Sequence, residues 1–206
     1  RVRKNGGRVA GVVWYQGCSD ATPEAAPHYT KRMAALVRSM RRDFGDARLP
    51  FVAVQIGRVI NRASSAEVWW NSIQDQQRLL PTVIPNCRVV PAVDLPLDDN
   101  IHLSGAGQWR LGLRMARAML ALKGHLRERD ITFESAEIEK DSMSGFGNVK
   151  VKLGGVVGRL QAQGMPMGFE ITDNNGAPCV YRIDLEGSSA ILRTCCAPAD
   201  LRGKFL

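Results

Sequence analysis

The sequence predicts a parallel α/β sheet with helices on both faces, followed by a small β-rich domain, and three observations carry that prediction. Apolar, β-branched runs recur at residues 9–15 (VAGVVWY), 50–56 (PFVAVQI) and 87–93 (CRVVPAV). Segments with helical periodicity follow each of them, and strands alternating with helices argue for βαβ units and a three-layer α/β/α sandwich. Beyond His125 long helical periodicity stops and short alternating runs take over. The change places an α/β domain at residues 1–124 and a β-rich domain at residues 125–206.

Residues 9–15 read as a strand buried on both faces, since parallel strands covered by helices are apolar throughout. A polar turn, Gln16-Gly17-Cys18-Ser19-Asp20, follows. Residues 27–44 carry Met33, Leu36, Val37, Met40 and Phe44 at helical intervals, and Gly45 stands where a helix-ending glycine is favoured. Residues 50–56 form the second strand. Ser64 and Glu67 have capping-box spacing and open a helix that turns Trp69, Ile73 and Leu80 inward and stops at Pro81. Residues 87–93 form the third strand, with Pro91 marking the end of its regular pairing. Ser104 then caps a helix running to about Lys123. Three strands make a small sheet, and the first of them should be interior. The expectation is therefore an N-terminally incomplete sheet, with one or two strands and their helices preceding Arg1 in the intact protein.

In the second domain Val149-Lys150-Val151-Lys152-Leu153 alternates strictly, as a half-buried antiparallel strand does. Residues 169–172 and 180–185 flank Asp173-Asn174-Asn175-Gly176 and read as a hairpin, and residues 190–194 as a further strand. From Ile131 to Leu206 there is no histidine and no evident catalytic cluster.

Composition narrows the function. With 45% hydrophobic and 23% charged residues the chain has the balance of an ordinary globular protein, and no apolar stretch reaches the length that spans a bilayer. The N-terminus lacks the apolar core of a signal peptide and fixes no compartment. Five cysteines without C-x-x-C spacing suggest neither a zinc site nor a full disulfide framework, so no metal is expected. The net charge of +8 admits an anionic partner. The basic residues, however, fall at helical spacing as solvated stripes: Arg110, Arg114 and Arg117 opposite Leu111, Met115, Ala118 and Leu122, and Lys31, Arg38, Arg41 and Arg42 on an earlier helix. No nucleic-acid-binding signature accompanies them, and neither nucleic acid nor membrane is expected as a partner.

The stretch that could carry chemistry is Asp99-Asn100-Ile101-His102, on a polar loop between the third strand and the last helix. Open α/β sheets place ligand-binding groups on such loops. An aspartate three residues before a histidine can hold one ring nitrogen while the other faces a substrate, the arrangement of a general base. The same spacing also suits a surface loop whose aspartate caps the helix.

Together, Gly11-Val12-Val13-Trp14-Tyr15-Gln16-Gly17-Cys18-Ser19-Asp20 and Asp99-Asn100-Ile101-His102-Leu103 resemble the sialate O-acetylesterases and related carbohydrate acetylesterases of the SGNH-hydrolase superfamily. Leu49-Pro50-Phe51, Gln55-Ile56, Gln77, Gly107-Gln108, Leu111-Gly112 and Arg114 occur in the order the family shows, and the C-terminal Gly158-Arg159-Leu160 and Gly168-Phe169-Glu170-Ile171 resemble its β-rich appendage. The resemblance implies an SGNH, flavodoxin-like sheet and hydrolysis of an acetyl ester on an acetylated carbohydrate, by a serine nucleophile with a histidine base and no cofactor. It further implies a secreted, periplasmic or lysosomal setting. By this resemblance His102 is the catalytic histidine, Asp99 its partner, and Gln16, with Gly17, an oxyanion and substrate-binding element, Gly17 letting backbone approach the substrate closely.

Two departures stand out. The family's nucleophile lies in an N-terminal segment of the Gly-Gln-Ser-Asn kind, which this sequence lacks, and no G-x-S-x-G elbow is present. Ser19 and Ser104 do not match the nucleophile position, so the chain is expected to be nearly inactive by itself and to need a missing N-terminal segment as partner. Cys18 stands where relatives usually carry glutamate. The alternative is a non-catalytic relative that retains a glycan-binding cleft.

Overall fold

A computed structural model describes residues 6–60, 64–127, 131–162, 164–171 and 179–202, with the side chains of residues 64–66 excepted. The chain forms two compact units, Arg1–Glu128 and Arg129–Leu206. In the first, β1 (Val12–Trp14), α1 (Tyr29–Phe44), β2 (Phe51–Gln55), α2 (Ser64–Val83), β3 (Cys87–Pro91) and α3 (Gly105–Leu122) follow one another. The sheet is parallel in the order β1-β2-β3, with Val13 opposite Val52 and Ala53 opposite Val89.

Alternation along β2 divides the core in two. Phe51 and Ala53 face Tyr29, Met33 and Val37 of α1 and Trp70, Ile73 and Leu80 of α2. Val52 and Val54 face Leu111 and Ala118 of α3. Helices thus lie on both faces of the sheet. The expectation that the first strand is buried on both faces is corrected: α3 packs over β2 and β3, and Val13, on the α3 side of β1, is 54% exposed. β1 is an edge strand among the described residues.

Gly45 ends α1 in the left-handed region at φ 65°, as its position predicts. Pro81 does not stop α2, which continues to Val83. The proline sits in the last turn, where its missing N–H removes one bond, and the ladder resumes with Ile84 N donating to Leu80 O at 2.9 Å. Burial of Leu80 and Ile84 on either side of it holds the turn in place. The Ser64 side chain, and with it the capping box, lies outside the described side chains. No helix among the described residues is long and apolar enough to cross a membrane.

Two arginines assigned to solvated stripes are anchors instead. Arg41 donates to Leu49 O (3.0 Å) and Pro85 O (2.6 Å), holding the connection into β2 against the end of α2. Arg114 grips Asp94 through both carboxylate oxygens, at 2.7 and 2.6 Å, and Pro91 O at 2.7 Å. A stripe read from spacing alone cannot show that a backbone carbonyl waits within reach.

The second unit is an antiparallel sheet in the order β4-β5-β7-β6, from β4 (Thr132–Lys140), β5 (Gly147–Gly154), β6 (Val180–Glu186) and β7 (Ser189–Thr194). Val149 and Val151 are buried and Lys152 exposed, the alternation expected of β5. The expected hairpin is corrected in part: its flanks meet through Cys179 N donating to Ile171 O at 2.8 Å, but only the second is a strand. Residues 169–171 form no strand, and β6 pairs with β7 across a two-residue turn at Gly187, whose φ of 58° suits glycine. The Asp173-Asn174-Asn175-Gly176 turn lies outside the described residues. Ile171 still reaches this unit's core beside Val149, Ile183 and Leu192.

Candidate active site

The loop leaving β1 is held by its backbone. Gln16 O accepts from Tyr29 Oη (3.1 Å) and from Gln77 Nε2 (2.8 Å). Gln77 is fully buried on α2. Its Oε1 accepts from Ile56 N at 2.8 Å, and its Nε2 also donates to Tyr29 Oη at 2.8 Å. A buried amide with every bond made is a rigid strut between α2, the end of β2 and this loop. Burial pushes the Tyr29 phenol up to about 12, with the Gln77 bond opposing and the nearby Asp20 and Cys18 adding, so the phenol remains a neutral donor.

Gly17 has a φ of +149°, and a Cβ built on it would stand 2.6 Å from Gln77 Nε2. Packing against α2 therefore demands glycine here, a reason distinct from the close substrate approach expected of it. The chain next makes a single 3-10 turn, Cys18–Asp20, closed by Asp20 N donating to Gly17 O at 3.0 Å. That turn carries Asp20 back over the side chain four residues earlier, and Gln16 Nε2 donates to Asp20 Oδ2 at 2.7 Å.

The second loop follows β3 and is closed at its base. Ser104 N donates to Pro96 O (2.9 Å), Leu97 bridges Leu103, and Asp98 N donates to His102 O (2.9 Å). Buried Leu95 and Leu103 root it in the core. The first turn of α3 rests on that base: a Cβ on Gly107 would lie 2.8 Å from Pro96 O, and Ser104 Oγ accepts from Gly107 N at 3.1 Å as the helix cap. Asn100 O accepts from Ile60 N at 2.9 Å, tying the tip to the loop after β2.

At the tip, Asp99 Oδ1 accepts from Ile101 N (2.8 Å) and His102 N (2.7 Å), while Oδ2 lies 2.7 Å from His102 Nδ1. These bonds, the one to the His102 ring first among them, hold the Asp99 carboxyl down at about 2. An ionised carboxylate only accepts, so His102 carries a proton on Nδ1, and Nε2 is the ring nitrogen left for a substrate.

Both loops leave the carboxyl ends of parallel strands, where open α/β sheets bind ligands. Between them lies a cavity of about 580 Å³ walled by Tyr15, Gln16, Gly17, Cys18 and Ser19 from the first loop and by Ile101, His102 and Leu103 from the second, with Gln108, Leu111 and Met115 of α3. The structure thus brings together Gln16, Gly17 and His102, with Asp99 bonded to His102 from outside the cavity wall. Cys18 and Ser19 line the same cavity. Ser104 is engaged as a helix cap.

Sequence reasoning missed Tyr15, whose phenol is pushed up chiefly by burial. It also missed Asp20 and the Tyr29–Gln77 strut. The four-residue spacing from Gln16 to Asp20 is a signal that could have found the first of these. Leu111 and Met115, read as core, are shared between core and cavity.

A histidine bonded to a carboxylate and a glutamine side chain therefore line one cleft at the strand ends of an α/β sheet. Residues 1–121 match the family described as carbohydrate esterase, sialic acid-specific acetylesterase, and the chain belongs to that family. A probable carbohydrate esterase of Arabidopsis thaliana is 34% identical over 121 residues, covering 58% of this chain and 43% of the relative. Among solved structures, a carbohydrate acetylesterase from Xanthomonas citri superposes with a TM-score of 0.69 at 24% identity, over 90% of this chain and 42% of that one, and shares the fold. The X-ray structure of an Arabidopsis thaliana protein matches with a TM-score of 0.51 at 33% identity, over 58% of this chain and 47% of its own. The chain spans less than half the length of these relatives.

Proposed function

We propose that this chain carries the histidine half of a carbohydrate O-acetylesterase site of the SGNH type, with the nucleophilic serine supplied by a segment of the Gly-Gln-Ser-Asn kind that the present sequence does not contain. The observation that carries the proposal is the 2.7 Å bond between His102 Nδ1 and Asp99, on the wall of the cavity that Gln16 also lines. His102 Nε2 takes the serine proton as the serine oxygen attacks the acetyl carbonyl carbon. The same proton then passes to the departing sugar oxygen, and water repeats the sequence on the acyl-serine. Asp99 holds the ring and offsets the charge of the imidazolium. A Gln16 side-chain N–H faces the oxygen on which negative charge develops, a contribution of roughly 3 to 4 kcal/mol for one such donor. Cys18, in place of the glutamate usual in relatives, leaves Asp99 as the described carboxylate bonded to the ring.

The test is acetyl-ester hydrolysis by the chain with and without an added segment bearing Gly-Gln-Ser-Asn, in the wild type and in His102→Ala, Gln16→Ala and Ser19→Ala. Activity that needs the segment, is abolished in His102→Ala and survives in Ser19→Ala supports the proposal. Activity of the chain alone that is lost in Ser19→Ala would place the nucleophile in the first loop and overturn it. Inactivity throughout, with acetylated sugar still bound, would favour the glycan-binding reading.

A further inference from the structure

We propose that Asp20 is a positioning residue that sets the Gln16 side chain as a hydrogen-bond donor toward the acetyl carbonyl. The inference rests on the reading of Gln16 as an oxyanion donor. A glutamine amide has two faces, an accepting oxygen and a donating nitrogen, and only the second suits a developing oxyanion. Nothing in the residue itself selects between them. In this loop the selection is external. Asp20 is a carboxylate, which only accepts, and it lies 2.7 Å from Gln16 Nε2, so the nitrogen end must face it. One of the two N–H groups is taken up by that bond, and the second is left on the same nitrogen for the cavity that Gln16 lines.

Both ends of Gln16 are then restrained. Its backbone carbonyl is held by Tyr29 and Gln77, and its side-chain nitrogen by Asp20. The 3-10 turn Cys18–Asp20 supplies the geometry, because closing Asp20 N onto Gly17 O brings the fourth residue back to the first. A donor fixed before the substrate arrives needs no reorganisation when charge develops, which is the condition under which such donors are effective.

The experiment uses the 15N-labelled full chain and reads the Gln16 side-chain amide, assigned by its disappearance in Gln16→Ala. The neutral acetyl ester triacetin serves as the probe. Without probe, the wild type shows one Gln16 amide proton displaced downfield and slowed in exchange with water. The displacement is reduced in Asp20→Asn, which keeps an accepting oxygen without the charge, and lost in Asp20→Ala. Unchanged amide signals in both variants would overturn the proposal. With triacetin, the wild-type amide shifts as the probe fills the cavity, and in Asp20→Ala the Tyr15 ring still responds while the amide no longer does. An equal amide response in wild type and Asp20→Ala refutes the positioning role alone. A Tyr15 response with a silent wild-type amide, or no response anywhere, refutes the donor reading and the proposal with it. In a preparation that turns triacetin over, Asp20→Ala lowers kcat by roughly ten- to a hundredfold with KM nearly unchanged, and adds little to Gln16→Ala.

Discussion

Gly17→Ala isolates the strut beneath the first loop. At φ +149° an L side chain is strained, at a cost of roughly 1–3 kcal/mol. The new methyl would sit 2.6 Å from Gln77 Nε2, 3.1 Å from Ile73 Cγ2 and 3.2 Å from Ile56 Cγ2. The two isoleucines are fully buried and have nowhere to go, so the amide must give. Moving it breaks the bonds from Gln77 Nε2 to Gln16 O and Tyr29 Oη, and a buried amide nitrogen left without its partners costs about 1–3 kcal/mol. The two effects overlap, and the expected destabilisation is about 2–5 kcal/mol. With a urea slope of roughly 1–3 kcal/mol per molar, the midpoint falls by about 1–2 M. Tryptophan fluorescence is the right probe, because Trp14, Trp69, Trp70 and Trp109 all belong to the first unit. Gly112→Ala is the control. Nothing lies within 4 Å of its added Cβ in the middle of α3, and alanine there should stabilise by roughly 0.5–1 kcal/mol. A Gly17→Ala midpoint equal to that of the wild type would show that Gln77 is not held as described.

Further perturbations test other parts of the scaffold. The Arg114 guanidinium holds the Asp94 carboxyl below its ordinary value, so this pair contributes stability that is present above the unfolded carboxyl value and lost as pH falls through the lowered one. Acid unfolding should show that loss in the wild type and not in Asp94→Asn, and Arg114→Met should cost roughly 1 kcal/mol at neutral pH, since the pair is partly exposed. Carbon-detected NMR should find the Asp99 carboxyl titrating at about 2, and shifted upward in His102→Ala, where the ring bond is gone; an unmoved midpoint would detach Asp99 from His102. Val13→Thr on the exposed face of β1 should change stability by less than about 0.5 kcal/mol. Its fully buried register partner should behave differently, Val52→Thr costing about 1–3 kcal/mol for a hydroxyl without a partner, as read by the same urea titration.

Periodicity, turn residues and the spacing of two short segments determined much of this protein before any coordinate. Apolar runs mark the three parallel strands, Met33 and Val37 the inner face of α1, Gly45 its end, and Ser104 the start of α3, because each of these follows from a residue and its near neighbours. His102 could be singled out from its spacing to Asp99, whereas Gln16 and Gly17 stood out only through the family resemblance of their segment, and the cavity they share with His102 is visible only in the structure. What only tertiary structure decided are the long-range partners. Val13 reads like Val52, yet one is exposed and the other buried, because α3 lies over β2 and β3. Arg41 and Arg114 read as solvated cations, yet each ends on carbonyls distant in sequence. β6 pairs with β7 across the short turn at Gly187, while the earlier apolar run meets the approach to β6 only through Cys179 N donating to Ile171 O among the described residues. Gln77 becomes a strut only where Ile56, Tyr29 and Gln16 converge on it, 21, 48 and 61 residues away. A local pattern encodes which way a side chain faces. What it meets there is set by chain closure over distances that no local pattern spans.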